Sequence, residues 1–278
     1  LLRGLVRYLN RVRLGQKPLY LEYPYDFENR WRDPGGHLRL AAQIASSSDT
    51  FENNLKEISD YEHIIRRFNQ PGELSMKFDN GFMPVLDGLS VMWAARRSAH
   101  TFMEIGSGFS TVYARAGLKD SGSGATIVSI DPQPRAEIDK LCDEVVRAPL
   151  EHIGTAIFGR LRPGDTLFLD GSHRSFTNSD VTVFFLDILP QLPSGVLIGI
   201  HDICLPFDYP VAWKERGYNE QYLLATQMLA NPDYFDLQLC NFWIGQKGMH
   251  KEPLAKIWDI VGEKAKIRAG SAFWAIKR

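Results

Sequence analysis

Cysteine is scarce in this chain. Cys142, Cys204 and Cys240 are the three in 278 residues. They lie far apart and without C-x-x-C spacing, which argues against a disulfide framework and a thiolate zinc site. Reduced core thiols are the expectation. Uncompensated charge is scarce too. Thirty-two Lys and Arg face 33 Asp and Glu, a formal net charge of −1, so no nucleic-acid partner is expected. No apolar run reaches the ~18–20 residues that span a bilayer. A transmembrane segment is therefore not expected, and a cytoplasmic location is. Repeats and low-complexity tracts are absent. What is plentiful is apolar residues, 44% of the chain, enough for a large core.

The opening "LLRGLVRYLNRVR" places Leu2, Leu5, Val6, Leu9 and Val12 near one helical face, with arginines around the rest. A membrane-surface helix and a docking helix both fit. The short length and the lack of an acyl-anchor motif favour docking. Up to residue 98 the chain is rich in Arg, Asn, Tyr and Pro. Helical patches fall at 38–45, 53–68 and 85–97, and "RDPGGH" and "FDNGFMP" are turn signals. Residues 1–98 read as a helical N-terminal extension packed on a main domain of residues 99–278.

From residue 101 the pattern is regular. "TFMEI", "TIVSI", "EVVRA", "TLFLD" and "GVLIGIHD" read as strands. Helices are expected at 110–118, 135–142 and 150–158, and a buried one at 178–189. A further helix at 220–230 is capped by Asn219 and stopped by Asn231-Pro232. "FDLQLCNFWIG" and "SAFWAIKR" read as late strands. Continuous apolar strands alternating with helices imply an α/β fold with a parallel sheet covered on both faces.

Polar residues collect at the strand ends. Glu104 and Gly106 end the first strand, Asp131 the second, Asp170 the fourth, and His201 and Asp202 the fifth. In an open parallel sheet that edge lines the ligand crevice. Gly106 and Gly108 let the backbone approach a ligand. Asp131, about 25 residues beyond Gly106, can accept both hydroxyls of a ribose. Two things are missing here as well. Thr111 stands where the third glycine of a dinucleotide fingerprint would be, and no Walker lysine follows the glycines. The ligand expected is a nucleoside with a cationic tail rather than a phosphorylated one.

"EIGSGFST", "VSIDPQPR", "LFLDGSHRSFTNSDV" and "LPSGVLIGIHDI" together resemble class I S-adenosylmethionine-dependent methyltransferases. The pair "DGSH" and "HDI" resembles the branch acting on small molecules and sugars at hydroxyl groups. The resemblance covers about residues 99 to 245 and the final strand. It implies a Rossmann-like methyltransferase fold: seven strands, mostly parallel, with an antiparallel final strand. It implies that Glu104, Gly106, Ser107, Gly108 and Asp170 surround the cofactor. It implies also that Asp131 holds the ribose and that adenine lies near Arg147 and Ala148. The connection from Lys247 to Gly270 is longer than a hairpin turn. Its plausible helix, "LAKIWDIVGEKAKI", could be a homo-oligomer contact.

Transfer of a methyl group to a hydroxyl calls for a base or a metal. Asp170, His173, His201 and Asp202 are the candidates. Asp170, His201 and Asp202 could share a divalent ion such as magnesium or manganese; His201 stands where metal-dependent relatives often carry an acid, which leaves a metal-free site open. "DYPVAWKERGYNEQYLL" could form a lid over a small-molecule or glycan acceptor. The rival readings are an NAD(P)-dependent oxidoreductase and a non-catalytic cofactor binder.

Overall fold

The computed structural model describes residues 22, 27–68, 78, 80–134, 137–262 and 269–278. The opening amphipathic segment lies outside the described residues. The described elements begin with α1 (Leu38–Ala45), α2 (Ser48–Ser59), α3 (Glu62–Phe68) and α4 (Val85–Arg97). The sheet region follows with β1 (Thr101–Ile105), α5 (Phe109–Ser121), β2 (Thr126–Ile130), β3 (Glu144–Val146), α6 (Leu150–Ile153) and β4 (Thr166–Leu169). It continues with α7 (Asp180–Val183), β5 (Leu197–Ile200), α8 (Glu220–Ala230), β6 (Phe235–Cys240), α9 (Asn241–Lys247), α10 (Ala255–Val261) and β7 (Phe273–Lys277).

The strands form one seven-stranded sheet in the order β3-β2-β1-β4-β5-β7-β6. Strands β1 to β5 pair in parallel, and β7 is antiparallel to both β5 and β6. This is the Rossmann-like methyltransferase fold. A dinucleotide-binding sheet runs 3-2-1-4-5-6; here β7 is inserted beside β5 instead. Strand β1 is buried along its whole length, as a central parallel strand must be. Gly199 in β5 makes room for aromatic packing, because a Cβ there would lie 2.3 Å from Trp274. Trp274 stacks on Phe168 with ring centroids 5.2 Å apart.

The N-terminal helices share this core. Helix α4 packs along α5, α2 lies against β6, and α3 meets α10. Leu86, Leu89, Met92 and Trp93 are fully buried or nearly so, in the same apolar cluster as the sheet. Burial of side chains of this size contributes roughly 1.5–3 kcal/mol each.

Several expected elements differ. The helix expected at 53–68 is two helices, separated at Asp60-Tyr61. Of the helix expected at 135–142, the described residues show a single turn, Asp139–Leu141. The helix expected at 150–158 ends after Ile153, because Gly154 takes a φ of 69°. The helix expected at 178–189 starts at Asp180 and buries Val181, Phe184, Phe185, Ile188 and Leu189. It passes from α7 into a wide turn at Phe184–Ile188 that leaves Leu186 67% exposed. "NFWIG" continues as α9 rather than as strand. Here the Asn241 side chain bonds to α4 instead of lying along a ladder.

We propose that residues 1–98 do not form a separable unit. A chain of residues 99–278 is expected to be poorly soluble and to bind a hydrophobic dye, since it bares Trp274 and Tyr113. A soluble 99–278 chain with a sharp thermal transition would refute this.

Candidate active site

The strand ends meet through the backbone. The amide of Gly106 donates to Ile130, that of Asp170 to Ile105 and that of His201 to Leu169, at 2.8–2.9 Å. Each polar residue therefore sits one step past the last paired residue of its strand. Gly106 has a φ of 79°, and a Cβ there would lie 1.9 Å from the carbonyl oxygen of Asp170. Only glycine allows the β1 and β4 ends to approach this closely.

Two cavities open along this edge, and Asp170 lines both. The first, about 590 Å³, is bounded by Gly106, Ser107, Asp131, Leu150 and the 171–180 loop. Among the described residues its charged lining is acidic: Asp131, Glu151, Asp170 and Asp180. Asp131 accepts the amides of Ser107 at 2.8 Å and Gln133 at 2.7 Å. These bonds fix its carboxylate at the cavity wall. Other expected cofactor residues stand outside that wall. Glu104 is fully buried and accepts the hydroxyls of Ser110 and Thr111 at the start of α5. Burial raises its pKa to about 8 despite those two bonds. Gly108 caps α5 from outside the lining. Arg147 braces the region, donating to the Asp131 carbonyl at 3.1 Å and to Ser129 Oγ at 3.2 Å. The cavity is lined by Pro149 to Glu151, not by Arg147 or Ala148. The weak strand β3 gave no register from which to find that shift.

The second cavity, about 470 Å³, holds the expected acceptor residues Asp170, His173, His201 and Asp202. His173 Nε2 lies 3.4 Å from Asp170 Oδ1 and 3.6 Å from Asp202 Oδ2. His201 Nδ1 lies 3.3 Å from Asp170 Oδ1 and 3.6 Å from Asp202 Oδ1. Each ring is held from behind by a buried carboxylate. Glu220 at the start of α8 meets His173 Nδ1 at 2.5 Å, and Asp87 in α4 meets His201 Nε2 at 3.0 Å. Sequence reading missed both. Asp87 and Glu220 are acids in the first turns of helices that carry otherwise apolar stretches. That placement was the available signal. Asp87 also accepts the amides of Ser271 and Ala272 and the Asn241 side chain, at 2.8–2.9 Å.

Burial opposes charge on both imidazoles, but the surrounding carboxylates outweigh it and raise both pKa values well above the usual value. The same cations hold the Asp170 carboxyl below the usual range against the effect of burial. His173 and Asp202 adopt φ values of 62° and 56°. Such left-handed non-glycine residues carry strain that clusters at functional sites.

The divalent metal expected at Asp170, His201 and Asp202 is not supported. Among the described residues, no three His, Cys, Asp or Glu side chains form a group that could hold a metal ion. The two imidazoles face the carboxylate pair and balance its charge where a cation would otherwise stand. No step below runs through a metal.

A family model described as a methyltransferase domain matches residues 103–203. This supports a class I S-adenosylmethionine-dependent methyltransferase. The matched segment runs from β1 past the His201-Asp202 end of β5, so it includes Asp170, His173, His201 and Asp202, while most other walls of the second cavity lie outside it. No curated protein matches the chain in a sequence comparison. Among the described residues, no helix is long and apolar enough to cross a membrane. Cys204 and Cys240 are buried and Cys142 is half-buried, all three unpaired.

Gly106→Ala is expected to destabilise the protein by at least about 1–3 kcal/mol, because it combines a left-handed φ with a backbone clash. Denaturant unfolding measures this; an unchanged midpoint would show that the β1 and β4 ends need no such approach.

Proposed function

We propose that this protein transfers a methyl group from S-adenosylmethionine to a hydroxyl of a small molecule. One observation carries the proposal: Asp170 joins an acid-lined cavity to a second cavity built around two histidines. The first suits a nucleoside with a cationic tail. Among the described residues its lining holds four acids and no Lys, Arg or His, an unfavourable place for a pyrophosphate. Asp131 is placed to accept ribose hydroxyls, and Gly106 and Ser107 provide a close backbone wall. The bound cofactor supplies an electrophilic methyl on a sulfonium.

The chain's own residues do the rest. Asp170 and the walls of the two cavities position donor and acceptor, which is much of the catalytic contribution for an in-line displacement. His173 takes the acceptor proton, and Glu220 orients its ring so that Nε2 faces the cavity. Cytoplasmic location and self-association through α10 remain proposals beside this one.

Asp131→Ala should weaken S-adenosylmethionine binding by about 1–3 kcal/mol, the loss of hydrogen bonds to a charged acceptor. Calorimetric titration measures it, and unchanged affinity removes Asp131 from the site.

The pH dependence has a definite sign. An imidazole whose pKa is raised is protonated at neutral pH and becomes a base only above it. Turnover should therefore rise with pH through a value well above ~6.5, not at the ordinary histidine value. Glu220→Gln removes one of the carboxylates that raise His173, so the rise should move to lower pH. It should survive a chelator. An unmoved profile in Glu220→Gln would exclude His173 as the base, and loss of turnover on chelation would restore a metal to the site.

A further inference from the structure

We infer that the acceptor is a phenol whose ring carries an anionic substituent, rather than a glycan. The inference rests on the methyl-transfer reading above and names the substrate class of the same site. It comes from the way polarity is distributed in the 470 Å³ cavity. The two histidines are 3% exposed and stand deep in the cavity beside Asp170 and Asp202. The remaining walls are largely aromatic and apolar, with Met83, Phe82, Phe242, Trp213 and Tyr218 among them. Phe82 is 56% exposed and marks the mouth.

A sugar ring carries hydroxyls around its whole edge. Against these walls most would lose water without gaining a partner, at a cost for each. A flat ring that presents its hydroxyl to the deep end meets π faces along the sides instead, which favour stacking. The rim adds charge selection. The Arg216 guanidinium lies 4.3 Å from the Trp213 ring centroid and 5.4 Å from that of Tyr218. No described carboxylate pairs with it within 4 Å, so its fork is open to a carboxylate on the ligand.

The proton chemistry agrees. The available base is an imidazole with a raised pKa. A phenol, with a pKa of about 10, lies within its reach. An alcohol, ionising near water's roughly 15.7, does not. In the reaction the phenol oxygen forms a bond to the methyl carbon as the carbon–sulfur bond breaks. The electron pair of that bond stays on sulfur as the neutral thioether, and the phenolic proton passes to His173 and then to solvent.

The test is calorimetric titration of the full chain saturated with S-adenosylhomocysteine. Dihydroxybenzoate, catechol and methyl glucoside serve as probes. Dihydroxybenzoate should bind at least about tenfold more tightly than methyl glucoside. Arg216→Ala, at an exposed position, should weaken dihydroxybenzoate by about tenfold or more, the loss of a charge-assisted contact, and leave catechol unchanged. Methyl glucoside binding as tightly as dihydroxybenzoate would overturn the assignment in favour of a glycan. Absence of dihydroxybenzoate binding to the loaded chain would overturn it too, as would an Arg216→Ala variant that binds dihydroxybenzoate normally. A chain that takes up no S-adenosylhomocysteine fails the cofactor reading first, and this inference with it.

Discussion

The carboxylate of Asp87 is the joint on which the candidate site depends. It is fully buried in the first turn of α4. Four donors converge on it from three later parts of the chain: His201 after β5, Asn241 at the start of α9, and the amides of Ser271 and Ala272 before β7. A buried carboxylate without such partners would be costly. The segments must therefore meet at one place, and the His201 ring is oriented as a result. Even Gly270 follows from it, because a Cβ there would lie 2.0 Å from Asp87. An acid outside the matched methyltransferase segment thus organises groups inside that segment.

Glu220 plays the same part for His173 from the other side. The two dyads face each other across Asp170 and Asp202, so the deep end of the acceptor cavity is a closed set of alternating charges. The carboxylates raise the pKa of both histidines, and the histidines lower that of Asp170. The first cavity differs. Two of its four acids, Asp131 and Asp180, are held by backbone amides rather than by cations. Asp170 belongs to both arrangements, because it lines both cavities.

Much of this was legible in the sequence. The β1, β2, β4 and β5 strands are short apolar runs, and each is followed by a polar residue at the edge where ligands bind. Periodicity and turn residues place them well. Val85–Arg97 and Glu220–Ala230 were legible as helices for the same reason. The differences arise partly from long-range partners and partly from local backbone and side-chain bonds. Asn241 turns inward toward Asp87, and "NFWIG" becomes a helix. Gly154 breaks a helix that its neighbours would otherwise continue. Glu104 looks like a ligand-facing acid, but Ser110 and Thr111 supply hydroxyls that keep it inside. Asp87 and Glu220 have no motif around them, and only folding shows that each lies behind a histidine.

The inserted strand β7 has a consequence for the order of events in folding. It is the last strand in sequence, yet it lies between β5 and β6. Until it arrives, the β5 edge is unpaired and β6 has no neighbour. The amides of Ser271 and Ala272, just ahead of β7, reach Asp87 only at that moment. During synthesis, when chains emerge at roughly 5–20 residues per second, the matched methyltransferase segment is complete before its sheet can close. Ser271, Ala272 and β7 then do two things at once: they seal an open sheet edge, and they satisfy the carboxylate that orients His201. Assembly of the site and completion of the sheet are one late event.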